Sequence, residues 1–407
     1  MSRLLRNDDI KNINSRKVLQ DIMEFRANDT QVVSVYAKEC KFNGIPFVKL
    51  KDYDVEGQMN VFDIAEINAI RHDNSIPVDI SDEAISDCMK ENGIVIKMPK
   101  DSHIIGVPVC NVAMGSVGDR INLKGNGLYS VEEKKVFEPY SPSEKALIGN
   151  MGLQHNKGMM QILIQDETVV TMRSSEYTHL PIKGIVEAYE EIMSHEFAAV
   201  NFSRGTIDRQ LMILEYELVD DAKQKNLAAT LRRLGFDCEE VRTYHRIVTS
   251  DVGESSVRIY MMYDLGNGRR IISGEQASLA HNKGASIERF KDKTCRHAIS
   301  LLFQAEKTIE RLAEIQIENP GGCLRNIASK LHLPKEASLI VGANMDAMYV
   351  SGCTALDVYC MLYEIIQERE IQLEESFSPF QLLQINEKIS KALLMNFEVS
   401  DIEFEWR

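Results

Sequence analysis

At 407 residues, with 44% hydrophobic and 27% charged residues and 10 prolines, the chain has the composition of an ordinary folded protein, which excludes long disordered stretches. A formal charge of −14 argues against a protein built mainly to coat nucleic acid, although a local basic patch fits within an acidic whole. No apolar run approaches the roughly 18 residues of a membrane span, and Met1–Asp9 lacks a signal peptide's apolar stretch, so a cytoplasmic protein with no membrane partner is expected.

Residues 1–95 read as a region of short mixed elements. Ser15 caps a helix through Val18, Leu19, Ile22 and Phe25; Gln31–Tyr36 and Pro46–Leu50 read as strands; Phe62–Ala69 and Glu83–Lys90 read as helices, the second closed by Asn92-Gly93. Residues 96–318 read as an α+β core ending in a long helix, with Ile94–Met98 as a buried strand at its entrance. Gly115-Ser116-Val117-Gly118-Asp119-Arg120 and Lys124-Gly125-Asn126-Gly127 fit neither a phosphate loop, a dinucleotide fingerprint nor a nucleophile elbow, and are read as turns. Ser141-Pro142-Ser143-Glu144 opens a helix expected to end near Gly149. Met159–Ile164 and Thr168–Met172 form a hairpin about Asp166-Glu167, and Leu180-Pro181 leads into a helix with Ile185, Ala188, Tyr189 and Ile192 on one face. Phe197–Phe202 pairs with Gln210–Leu218, whose alternation sets Met212, Leu214 and Tyr216 against Ile213, Glu215 and Glu217, a side expected to meet solvent or a cleft. Asp220-Asp221 starts a helix closed by Gly235.

The organising stretch is Thr249–Ile317. Val257–Tyr263 and Arg269–Ile272 flank Gly266-Asn267-Gly268, an antiparallel hairpin. From Ser286, a cap, the positions Cys295, Ala298, Leu302, Ala305, Ile309 and Leu312 recur at three- and four-residue steps, predicting an amphipathic helix that covers one sheet face and reaches Asn319-Pro320. Residues 319–407 read as a helical region packed on the core, with Thr354-Ala355-Leu356-Asp357 as a capping box.

His-Asn-Lys-Gly occurs at His155–Gly158 and again at His281–Gly284; the flanks do not align, so a duplication is not the preferred reading. In the second copy Asn282, Lys283, Gly284 and Ser286 precede a helix N-terminus, where free N–H groups favour an anion, and this turn with His281, Ser250 and Asp251 forms the candidate ligand site. The bland alternatives are a polar turn and an Asx-type strand ending. The histidines and the eight cysteines show no metal-ligand spacing, and neither a metal nor a cofactor is expected. Arg258, Arg269, Arg270, Lys283, Arg289, Lys291 and Arg296 gather around the same stretch and form a candidate nucleic-acid patch.

The order of pieces, Asp251-Val252-Gly253 after a strand, a hairpin, the His281–Gly284 turn, a long helix, Leu333-Pro334-Lys335 and Thr354–Tyr359, resembles the phage/plasmid-like family of uncharacterised proteins over about residues 145–395. That resemblance implies a bacterial mobile-element or phage accessory protein acting in the cytosol. With no catalytic constellation in the sequence, the expected function is binding or assembly, with a homo-oligomer and DNA as the partners to test. The alternative is an enzyme acting on an anionic small molecule near His281–Ser286.

Overall fold

Hydroxyl and carboxylate caps and period-two strands divide the chain into the elements that a computed structural model describes for residues 10–45, 64–121, 140–253, 255–266, 269–373 and 377–404. The strand expected at Pro46–Leu50 and the turn at Lys124–Gly127 lie outside the described residues.

β1 (Lys11–Ile13) and α1 (Arg16–Asp29) come first, α1 opened by Ser15, whose Oγ accepts the Val18 N–H. A smaller lobe follows: β2 (Gln31–Tyr36), β3 (Lys41–Gly44), α2 (Ile64–Asn74), α3 (Asp82–Glu91), β4 (Ile94–Lys100), β5 (His103–Pro108), α4 (Met114–Arg120), α5 (Pro142–His155), β6 (Met159–Gln165) and β7 (Thr168–Ser174). Its strands make two three-stranded antiparallel sheets, β2-β6-β7 and β3-β4-β5, linked where Val109 bridges Val169. Phe42, Ile85, Ile96, Leu163 and Met172 fill a core of their own.

The larger lobe holds α6 (Ile182–Glu196), β8 (Ala199–Ile207), β9 (Met212–Val219), α7 (Asp221–Arg233), β10 (Arg242–Thr249), β11 (Val257–Asp264) and β12 (Arg270–Leu279). Next come α8 (Ile287–Arg289), a π-helical turn at Phe290–Cys295, α9 (Arg296–Glu314), β13 (Gln316–Ile317), α10 (Pro320–Lys330), α11 (Lys335–Met348) and β14 (Cys353–Thr354). The chain closes with α12 (Ala355–Met361), α13 (Glu364–Leu373), α14 (Pro379–Ser390) and α15 (Phe397–Ser400). Its antiparallel sheet is six-stranded, ordered β1-β8-β9-β10-β11-β12. Leu214, Tyr216, Ile247, Ile259 and Tyr263 share a core with Leu302 and Ile309 of α9, so the long helix covers one face of the sheet as its stripe requires. Tyr263 fixes that packing by donating its hydroxyl to Leu302 O at 3.0 Å, and Tyr359 ties α12 to β12 through Ile272 O at 2.9 Å. The architecture is α+β with a helical C-terminal region.

Four expectations change. Gly115–Arg120 is not a turn but most of α4, because Ser116 donates to Ala113 O at 2.7 Å and accepts Met172 N–H at 3.0 Å, locking a helical turn onto β7. α5 does not stop at Gly149 but runs to His155; a Cβ at Gly152 would sit 2.4 Å from Ile121 Cβ, so glycine there serves helix contact rather than termination. The long helix stops at Glu314, short of Asn319, because Ile315 O accepts Ala355 N–H at 2.9 Å and the next two residues pair with Cys353-Thr354. The boundary at 95/96 cuts through the paired strands β3, β4 and β5; the hydrophobic cores divide instead near residue 178, with β1 and α1 joining the larger one.

Candidate functional site

The sheet face opposite α9 carries Ile213 and Glu215, from the outward set that strand alternation marked on β9, with Arg246, Met262, Arg270 and Ile272 of the neighbouring strands. Over it stand α13 and α14, contributing Ile366, Glu370, Leu382, Leu383 and Asn386, with Tyr363 just before α13, Phe377 between the two helices and Ile10, Asn12 and Asn14 at the β1 side. The result is a cleft of about 670 Å³, a size suited to a small molecule.

Its floor is organised by one row of cross-strand neighbours. Arg204 of β8 pairs with Glu215 of β9, Glu215 with Arg246 of β10, and Arg246 with Tyr260 of β11. Arg204 reaches the row through a bulge: Phe202 opposes Tyr216 on the core side, and the extra residue Ser203 turns Arg204 to the other face. Arg204 Nε donates to Glu215 Oε2 at 2.6 Å, while Arg246 Nε and Nη2 donate to Oε1 at 3.0 and 2.6 Å. Burial alone would raise the Glu215 carboxyl, but Arg246 and Arg204 outweigh it and hold it below the ordinary carboxylate range. The row therefore carries two guanidinium charges against one carboxylate. Neither Nη of Arg204 nor Nη1 of Arg246 makes a hydrogen bond among the described residues.

The ligand residues expected from sequence lie elsewhere, between the two lobes, and the fold does bring their two segments into one neighbourhood. Tyr177 spans them, donating its hydroxyl to Asp251 O at 2.9 Å and stacking on the His281 ring at 5.4 Å between centroids. Asp251 Oδ2 accepts Gln165 Nε2 at 3.3 Å, and its Oδ1 lies 3.5 Å from His179 Nε2. Gln165 is held in turn by Arg26 and by Thr30. His281 Nδ1 donates to Thr178 O at 3.1 Å, its Nε2 is buried without a partner among the described residues, and burial pulls it below the ordinary imidazole range. Ser250 is not poised as a nucleophile, since its Oγ donates to Gln210 O at 2.6 Å. Asn282 O accepts Ala285 N–H and Thr178 Oγ1, Ser286 Oγ accepts Arg289 N–H, Gly284 takes φ +90°, and Lys283 is exposed, so much of this turn is committed to capping and docking. The first copy, His155–Gly158, closes a helix instead.

The expected basic patch is dispersed. Arg258 and Arg270 belong to the cleft side, paired with Glu387 and, at 3.8 Å, with Asp264. Arg269 lies 4.5 Å over the Phe236 ring and bonds Asp237. Arg289 turns back to Gly284 O, Lys291 is tied to Glu191, and Arg296 lies 3.8 Å from Asp292, all on the helix that covers the other face. These seven residues do not form one surface, because strand alternation and the long helix send them to different sides of the sheet. The sequence marks Glu215 on the outward side of its strand but not its union with Arg246, and it hides Arg204 altogether, since counting by twos from Phe202 points it into the core.

Compared with known proteins, the chain matches no family model, no curated protein and no solved structure.

Proposed function

We propose that this is a non-enzymatic binding protein whose ligand lies in the cleft on the open face of the six-stranded sheet. The observation that carries the reading is the Arg204–Glu215–Arg246 row: two guanidinium groups are held on one buried carboxylate, with donors to spare, beneath apolar helix walls. Fixed polar groups in an apolar concavity give orientation, and the shape gives affinity. An origin in a phage or plasmid belongs to this proposal through the resemblance alone.

An uncharged solvatochromic dye, Nile red, tests the reading without assuming the ligand's charge. Its fluorescence is expected to rise on the native chain and to lose that rise in Asn386→Trp, which fills the cleft from α14. Equal fluorescence in both proteins would sink the reading. A second reading, acid–base chemistry between the lobes, is favoured by the His179–Asp251 approach at 3.5 Å and the unpartnered His281 Nε2. It predicts that a turnover found for the chain is lost in Asp251→Asn with the fold retained.

A further inference from the structure

Resting on the cleft as the binding site, we propose that its occupant is a long-chain carboxylic acid, the carboxylate held by the free guanidinium N–H groups of Arg204 and Arg246 and the hydrocarbon lying against Ile366, Leu382 and Leu383. Three observations converge on this class.

The first is charge. On the cleft floor Arg204 and Arg246 share the one carboxylate of Glu215, so this row carries one positive charge over, in a chain whose total is −14, while Arg270 lies 3.8 Å from Asp264. A single anionic head balances it. The second is the set of unused donors: Glu215 occupies Arg204 Nε and Arg246 Nε and Nη2, leaving Nη groups of both arginines for an incoming acceptor. A planar guanidinium matches a carboxylate's two oxygens, which an alcohol or an amide does not supply. The third is the remainder of the lining: Ile10, Ile213, Met262, Ile272 and Phe377 extend the apolar surface beyond the arginines on both sides. An acid without a tail would leave that surface wet.

The same features weigh against a nucleic-acid strand. Its charge repeats at every nucleotide, whereas Glu370 lines the wall here and Asp264 and Glu387 take up Arg270 and Arg258 beside it.

The test is displacement of Nile red from the full chain by laurate, with 1-dodecanol, dodecyl phosphate, phosphatidylglycerol vesicles and a deoxythymidine decamer as competitors. Laurate is expected to displace the dye at least tenfold more effectively than dodecanol, because a hydrogen bond to a charged group contributes about 1.5–3 kcal/mol. Arg204→Gln, at a half-exposed side chain that leaves Arg246 on Glu215, is expected to abolish that advantage while dodecanol is unmoved. Arg270→Gln is a second variant expected to weaken laurate selectively. Laurate no better than dodecanol, or unaffected by both variants, overturns the proposal. So does stronger displacement by the decamer, by the vesicles or by dodecyl phosphate, each of which assigns the site to a different ligand. Dye binding that persists and is cleft-dependent while laurate fails leaves the binding-site reading standing and removes only the carboxylic acid.

Discussion

His245 shows how one buried side chain makes stability depend on pH. It lies fully inside the larger core, hydrogen-bonded through Nδ1 to the Tyr189 hydroxyl at 2.9 Å, and burial lowers its pKa to about 3. The unfolded chain takes up this proton near pH 6.5, the native state only near 3. Stability present above about pH 6.5 is therefore lost as pH falls toward 3, by up to about 1.4 kcal/mol per pH unit from this group. Urea unfolding between pH 7 and 4 checks it: His245→Gln is expected to show a slope shallower by one proton, and an unchanged slope would assign the acid sensitivity to carboxylates. Glu215 is the opposite case, a buried charge kept ionised by partners. Glu215→Gln leaves two guanidiniums facing each other across one strand, and a loss of about 2–4 kcal/mol is expected at pH 7 by urea denaturation. A loss under 0.5 kcal/mol would mean that solvent already screens the row.

At the scale of elements, small residues decide which helices touch. Gly152 lets α5 lie against the end of α4, and its missing Cβ is the reason, since Ile121 Cβ and O would be 2.4 and 2.8 Å away. Gly152→Ala is expected to cost about 1–3 kcal/mol through overpacking, despite alanine's better helix propensity. A gain in melting temperature would show that α4 can shift aside. The Asp166-Glu167 turn between β6 and β7 makes a related point from the other side. Both residues take positive φ, 47° and 64°, which glycine and asparagine ordinarily supply. Contacts over-determine the turn here: Asp166 N–H donates to Asp29 Oδ2 at 2.6 Å, and Glu167 Oε2 accepts Ser81 N–H at 3.0 Å.

For the molecule as a whole, the two larger hydrophobic cores among the described residues are joined by a polar seam. Asp251 gathers Gln165 from the smaller lobe, His179 from the link between lobes and Tyr177 through its own carbonyl, while Val252 inserts into the smaller core and its carbonyl accepts from Arg173. Asp251→Ala removes one of the two acceptors of Gln165 Nε2, leaving Thr30 Oγ1, and touches neither core. Differential scanning calorimetry is expected to resolve two transitions in this variant where the parent chain gives one. A single transition shifted as a unit would show that α1, with its Arg26 contact to Gln165, suffices to couple the lobes.

Local rules read from the sequence named much of the framework: the Ser15, Ser141 and Thr354 caps, the hairpins, the amphipathic α9 and the alternation of β9 needed only near neighbours in the chain. These signals are local because a cap spans three residues and a strand face repeats every two. The same rules left the outward face of β9 to solvent or a cleft and could not say what covered it, and they set the domain boundary inside a sheet because strand partners are chosen at long range. Arg204 was hidden for a sharper reason. A one-residue bulge reverses the facing of everything beyond it, and only pairing with β9 reveals where the extra residue sits. So the sequence by itself determined most of the helices and strands and the α+β class, with α4 the helix it read as a turn. Only the tertiary structure decided which charges meet, because Arg204, Glu215 and Arg246 become neighbours through strand register and not through chain spacing.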